Sequence, residues 1–191
     1  MGMEDTKERI LAVALREFAA RGYNAVGVQE ICLGAGITKP SLYHHFGSKR
    51  GLLEAIAVEF YAPFVGRFAE AIRYRGDVQA SLTAGMEVFL RAARETPDFA
   101  RLRLALAFSP PDSQEHEVLR PVSERLHQAT RAFFAAAAKD HGNMKGRDLP
   151  YAVSFVGTAD AYVGFLLAGS IDPTEAFVRR VVHHFMHGLF S

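Results

Sequence analysis

The sequence has one cysteine, Cys32, and no tryptophan among its 191 residues. A single cysteine excludes an intrachain disulfide, and with it the small stapled scaffolds of secreted proteins, and points to a reducing cytoplasm. No apolar run reaches membrane length without a polar residue, and the start MGMEDTKERI lacks the apolar stretch of a secretory leader, so no membrane partner is expected. Charge of one sign is scarce as well: 22 Lys and Arg stand against 21 Asp and Glu, a net charge of +1. The chain is therefore not a generally basic nucleic-acid coat, and any DNA contact must be local. Phosphate-binding glycine loops and serine-centred elbows are missing. His183 and His187 stand one helical turn apart, but no glutamate follows His183 in the metalloprotease arrangement and no third ligand is near. No catalytic residue, metal, cofactor or enzymatic activity is expected.

What is present is helical pattern from end to end, with an apolar fraction of 49%, enough for a packed core. Asp5 with Glu8 forms a capping box, and Ile10, Leu11, Ala14, Leu15, Phe18 and Ala19 recur at helical spacing until Gly22. The next stretch, ICLGAGITKPSLYHHFGSKRGLL over residues 31–53, reads as two helices of about two turns each, one from about Val28 to Leu33 and one from Thr38 to His45. Helices that short are marginal in water. A helix-turn-helix needs them: a buttress, a tight glycine turn, and a second helix small enough for the major groove. Gly36 supplies the turn, Ile37 plugs the angle, and Thr38 caps a first turn of Lys39, Pro40 and Ser41, where proline costs little. Cys32 is expected as a small buried side chain of the buttress. Lys39, Lys49 and Arg50 flank the second helix with no acid between them.

Ser48 caps a fourth helix whose apolar positions run from Leu52 through Ile72, with Pro63 inside it as a hinge or a tolerated break. Beyond Gly76 and Asp77 the pattern is that of a bundle. Helices are expected over 78–95, from Pro97 to Phe108, from Glu115 to about His141, over about 149–167, and from Pro173, capped by Asp172, to Leu189. The expected architecture is all-α: residues 1–50 form a three-helix DNA-binding head, and residues 51–191 a larger helical body.

The string from Ala35 through Lys49 resembles the DNA-binding head of the TetR family of bacterial transcriptional regulators, with its Ala-Gly-aliphatic turn, its Leu42-Tyr43 pair and Phe46 two residues before Ser48-Lys49. The resemblance covers about the first quarter of the chain; the body fits only in length and helix count. It implies that Thr38 and Ser41 bond phosphates, that Tyr43 gives its phenol to another, and that Lys49 adds charge at the favourable N-terminal dipole of the fourth helix. Base reading would fall to Gln29, Lys39, Pro40 and His44. Two departures stand out: Gly27 where a hydroxyl cap is usual, and Gly34 where a helix former is usual. Together they suggest a softer head that orders on DNA.

One head contacts too little DNA for useful specificity, so a homodimer on a double-stranded, palindromic operator is expected. Small residues at helical intervals, Ser154, Gly157, Ala161, Gly164 and Ala168, together with the area of Phe165, Val178, Val181, Val182, Phe185 and Leu189, point to a four-helix interface made by the last two helices of each subunit, though an ordinary core could share that texture. The resemblance further implies a small-molecule effector site in the body. Candidate wall residues are Phe64, Met86, Phe89, Phe108, Leu126, Phe133, Phe155 and Tyr162, with His127 and Asp160 as polar handles and an apolar or aromatic ligand as the fit. Asp160 could equally bond across the dimer or face solvent. The resulting expectation is a ligand-responsive transcriptional regulator, most simply a repressor. The rival class is a helical carrier of lipid or small molecules, which has no need of Thr38, Ser41, Tyr43 and Lys49 at groove spacing.

Overall fold

The computed structural model describes residues 3–188, with side chains from Asp5 onward. Among these residues there is no strand. The elements are α1 (Met3–Arg21), α2 (Val28–Ala35), α3 (Lys39–Phe46), α4 (Lys49–Ile56), a π turn (Ala57–Tyr61), α5 (Ala62–Ala71), α6 (Val78–Glu95), α7 (Pro97–Leu106), α8 (Gln114–Ala137), a 3-10 turn (Gly142–Met144), α9 (Asp148–Leu167) and α10 (Glu175–His187).

The chain forms two compact units, which divide between Pro63 and Phe64, between Pro97 and Asp98, and between Val122 and Ser123. The first unit therefore contains the head but runs past residue 50 and takes in residues 98–122. In it α1 packs on α2 and α4. Ile10, Leu11, Ala14, Leu15 and Phe18 of α1 are buried with Ile31, Cys32, Leu42, Leu52, Leu53 and Ile56. Each large side chain so covered contributes about 1.5–3 kcal/mol. Phe99 of α7 meets Tyr61 edge-on at 5.8 Å and stacks with Phe60 at 6.3 Å, which ties the later segment to the end of the head.

Three of the boundaries that differ from expectation have a clear local reason. Met3 already lies in α1, so Asp5 is inside the helix and no capping box opens it there. The long fourth helix is interrupted: Pro63 lacks the N–H that would bond the carbonyl of Glu59, and the chain widens just before it into the π turn, where the N–H of Ala62 reaches back to Ala57. The last helix starts at Glu175, because Thr174 rather than Asp172 accepts the capping bond, from the N–H of Phe177 at 3.3 Å. Asp77 caps α6 as expected, accepting from Ala80 at 2.9 Å.

In the second unit α6 packs against α9 and α10. Phe89 of α6 sits between two rings of α5, Phe64 at 5.1 Å and Phe68 at 5.2 Å, both edge-to-face. Gly85, one turn earlier, lets Phe68 and Ile72 come close to the α6 backbone, since a Cβ there would lie 3.3 Å from Phe68. Across the unit Phe155 meets Phe185 at 5.4 Å. No helix among the described residues is long and apolar enough to cross a membrane. Phe89→Ala is expected to destabilise the protein by about 3–5 kcal/mol, the cost of an aromatic cavity in a packed core, as read from urea denaturation followed by circular dichroism.

Candidate nucleic-acid interface

The head is built on four caps. Gly36 ends α2 in the left-handed region (φ 62°, ψ 41°), and its N–H, with that of Ile37, returns to the carbonyls of Leu33 and Cys32. Left-handed backbone favours glycine, so the turn needs this residue. Thr38 then starts α3 by accepting from the N–H of Ser41 at 3.4 Å. After α3, Gly47 (φ 70°) closes the helix on Tyr43, and Ser48 opens α4 by accepting from Gly51 at 2.9 Å.

Two further glycines fix how the helices meet. A Cβ on Gly34 would lie 2.9 Å from the Val13 side chain, so α1 and α2 can approach as they do only because the position is bare. A Cβ on Gly51 would lie 2.0 Å from the carbonyl oxygen of Phe46, so glycine is required where α4 turns against the end of α3. Gly34 is thus a point of close contact rather than softness. Gly27 is compensated as well: its N–H donates to Glu30 at 2.7 Å, and Glu30 pairs with Arg21. The Gly27 bond first, and Arg21 second, hold the Glu30 carboxyl below its usual pKa. Its contribution is present at neutral pH and fades as pH falls through that lowered value.

This framework leaves Gln29, Thr38, Lys39, Pro40, Tyr43 and His44 exposed and Ser41 half-exposed, so the predicted contact residues lie on α2 and α3 with Leu42 buried behind them. Tyr43 is 46% exposed with its ring free of the core. Leu33, one turn after Gln29 on α2, is 72% exposed and was not foreseen as part of this surface; its spacing from Gln29 was the available signal. Lys49 is placed differently from the others. Its ammonium lies 4.3 Å from the centroid of the Tyr23 ring and donates to the Asn24 carbonyl at 3.5 Å, and this burial, above all, lowers its pKa. Cys32 is 1% exposed and its thiol is pushed up in pKa by burial, which keeps it protonated and inert.

In the second unit the expected sites fare unevenly. Phe64, Met86, Phe89, Leu126, Phe133 and Phe155 are buried core side chains. Phe108 is corrected outright: it belongs to the first unit, follows the end of α7 and is 91% exposed, so it walls no pocket. His127 is half-buried, its ring Nδ1 2.9 Å from the Ser123 carbonyl; Tyr162 packs edge-on to Phe177 at 5.6 Å; Asp160 is half-buried on α9. A cavity of about 530 Å³ does lie in this unit, open on one side, but none of these residues lines it. Its walls are Val78, Leu82, Phe134, Tyr151, Met144, Phe185 and Met186, with His141, Asn143, Ser154 and His187 as the polar groups.

Of the dimer residues, Ser154, Gly157, Ala161, Phe165 and Ala168 are exposed along one face of α9, Gly164 half-exposed, and Leu149 and Val153 extend that face. Val178, Val181 and Val182 do not join it: they are buried in their own unit, where α10 packs on α6, and the exposed positions of α10 are Glu175, Ala176, Arg179, Arg180, His183, His184 and His187. Phe185 is half-buried against Phe155. Leu189 falls outside the described residues.

A short buttress helix, a glycine turn and a second two-turn helix with an exposed polar row define a helix-turn-helix protein of the kind that docks on duplex DNA. Residues 10–56 match the family model described as "Bacterial regulatory proteins, tetR family". Among relatives, the transcriptional activator FasR of Mycolicibacterium smegmatis is 29% identical over 153 residues, 80% of this chain and 68% of that protein. The transcriptional repressor KstR2 of Rhodococcus jostii is 35% identical over 83 residues, 44% of this chain and 41% of its own length. Among solved structures, the regulator FadR from Bacillus subtilis in complex with stearoyl-CoA has the same fold, with a TM-score of 0.78 at 17% identity over 95% of this chain and 98% of that one.

The contact at Gly34 gives a direct test. Helix propensity alone predicts that Gly34→Ala gains about 1 kcal/mol. The Val13 contact predicts a lower melting temperature instead, with the gain recovered when Val13→Ala is added, as thermal melts of the four proteins would show.

Proposed function

We propose that the protein is a transcriptional repressor that binds a two-fold-symmetric operator as a homodimer and releases it when a small apolar or acyl-bearing effector binds the body. The observation that carries the reading is the row Gln29, Thr38, Lys39, Pro40, Tyr43 and His44, exposed together on α2 and α3 over a buried Leu42. Hydroxyls at the start of α3 suit phosphates. Lys39 and His44 suit guanine edges, and Pro40 suits a thymine methyl.

Two observations support the dimer and the effector. The exposed face of α9, with Gly157, Ala161, Gly164, Phe165 and Ala168, is apolar and lets another helix approach closely. The cavity of about 530 Å³ is within the size of ordinary small-molecule sites, mostly apolar, with a few polar groups and no acid among its walls. An apolar ligand with a carboxylate or carbonyl head fits that chemistry, and a similar fold holds stearoyl-CoA in FadR. An effector releases DNA only by binding the non-operator conformation better, and a hundredfold loss of DNA affinity needs about 2.7 kcal/mol of such preference.

The test is titration of labelled DNA from upstream of the gene, with competitor DNA present, at two salt concentrations. Saturable binding that falls with salt, weakens about tenfold in Tyr43→Ala and Lys39→Ala, and is reversed by dodecanoate but not in Met186→Trp, a cavity-wall variant, supports the reading. A folded protein that takes up dodecanoate and binds no DNA of any sequence is a carrier instead.

A further inference from the structure

The first turn of α4 carries Lys49 and Arg50, the two adjacent cations of the head, and the sequence shows no acid beside them until Glu54. In the fold they are not free to present a basic surface. The start of α8, more than sixty positions later, packs onto them within the same unit. Arg50 donates through Nη1 to Glu117 at 2.8 Å and through Nε to Glu54 at 2.9 Å, so one guanidinium faces two carboxylates. Glu115, almost fully buried, accepts from the Asn24 side chain at 2.7 Å, beside Tyr23, whose ring lies against the Lys49 ammonium. Tyr23 itself donates to Gln114. Three acceptor-bearing residues in the first turn of α8, Gln114, Glu115 and Glu117, thus engage the residues that hold or constitute the cationic start of α4.

We infer that Glu115 and Glu117 are internal competitors for the DNA phosphates that Lys49 and Arg50 would bind, and that they set the affinity of the head for its operator. This rests on reading the head as a DNA binder and goes beyond it: these acids touch no DNA, and act by positioning and neutralising the two cations. A phosphate has to draw Lys49 off the Tyr23 ring and take Arg50 from Glu117, against the repulsion of the net negative Arg50, Glu54 and Glu117 group. An exposed ion pair is a weak competitor, so the effect is a tuning of a few fold rather than a block. Any event that moves the start of α8 away from α4 raises the affinity of the head, and any event that presses it closer lowers it.

The experiment uses the full chain and a duplex that the wild-type protein itself selects from a random pool. Affinity and its salt dependence are measured for wild type, Glu117→Gln, Arg50→Ala and the double variant, with Glu95→Gln on α6 as the charge-matched control. The expected result is an affinity about three- to fivefold higher for Glu117→Gln than for the control, with a salt slope steeper by about one, both lost in the Arg50→Ala background. Glu115→Gln with Lys49→Ala forms a second cycle with the same expectation, and thermal melts verify folding of each variant. An unchanged affinity in Glu117→Gln, or a gain that persists without Arg50, overturns the inference while leaving the DNA-binding reading intact. Failure of the wild type to select any duplex overturns both.

Discussion

The left-handed turn at Gly36 is the constraint on which the head depends. Its backbone angles are costly for any residue with a side chain, and from it follow the release of the chain after Ala35, the cap at Thr38 and the direction of α3. The two short helices have few hydrogen bonds of their own, so they persist through packing. Bare positions at Gly34 and Gly51 permit that packing, letting α1 close on α2 and α4 close on α3. Three glycines with three different duties thus hold six exposed side chains in one row.

Much of the head was legible because its signals are local. Caps at Thr38 and Ser48 and the turn at Gly36 each follow from a few neighbouring residues, and the structure places them as the pattern implies. What was not legible depends on distant partners. Gly34 reads as a weak helix former until Val13 is seen against it. Lys49 and Arg50 read as a free basic pair until Tyr23, Glu115 and Glu117 are brought onto them by the fold.

The body was less legible, and for a physical reason. A helix buried on one face and a helix waiting for a partner carry the same apolar spacing, so Val178, Val181 and Val182 could be assigned to an interface when they fill the core beneath α10. Phe108 looked like pocket lining because aromatic residues are usually covered, yet it stands in the segment after α7 with nothing over it. The cavity that does exist is made where α6, α8, α9 and α10 each contribute an end or a turn, together with the 3-10 segment, an arrangement that no single periodicity announces.

The central claim is that α2 and α3 face duplex DNA. Hydrogen exchange of the full-length protein, with and without a duplex it has selected, tests this most directly. The account predicts added protection at the start of α3 and along the residues from Gln29 to Lys49, with the interior of α6 unchanged. Protection confined to the second unit, or none in the head at saturating DNA, would contradict it.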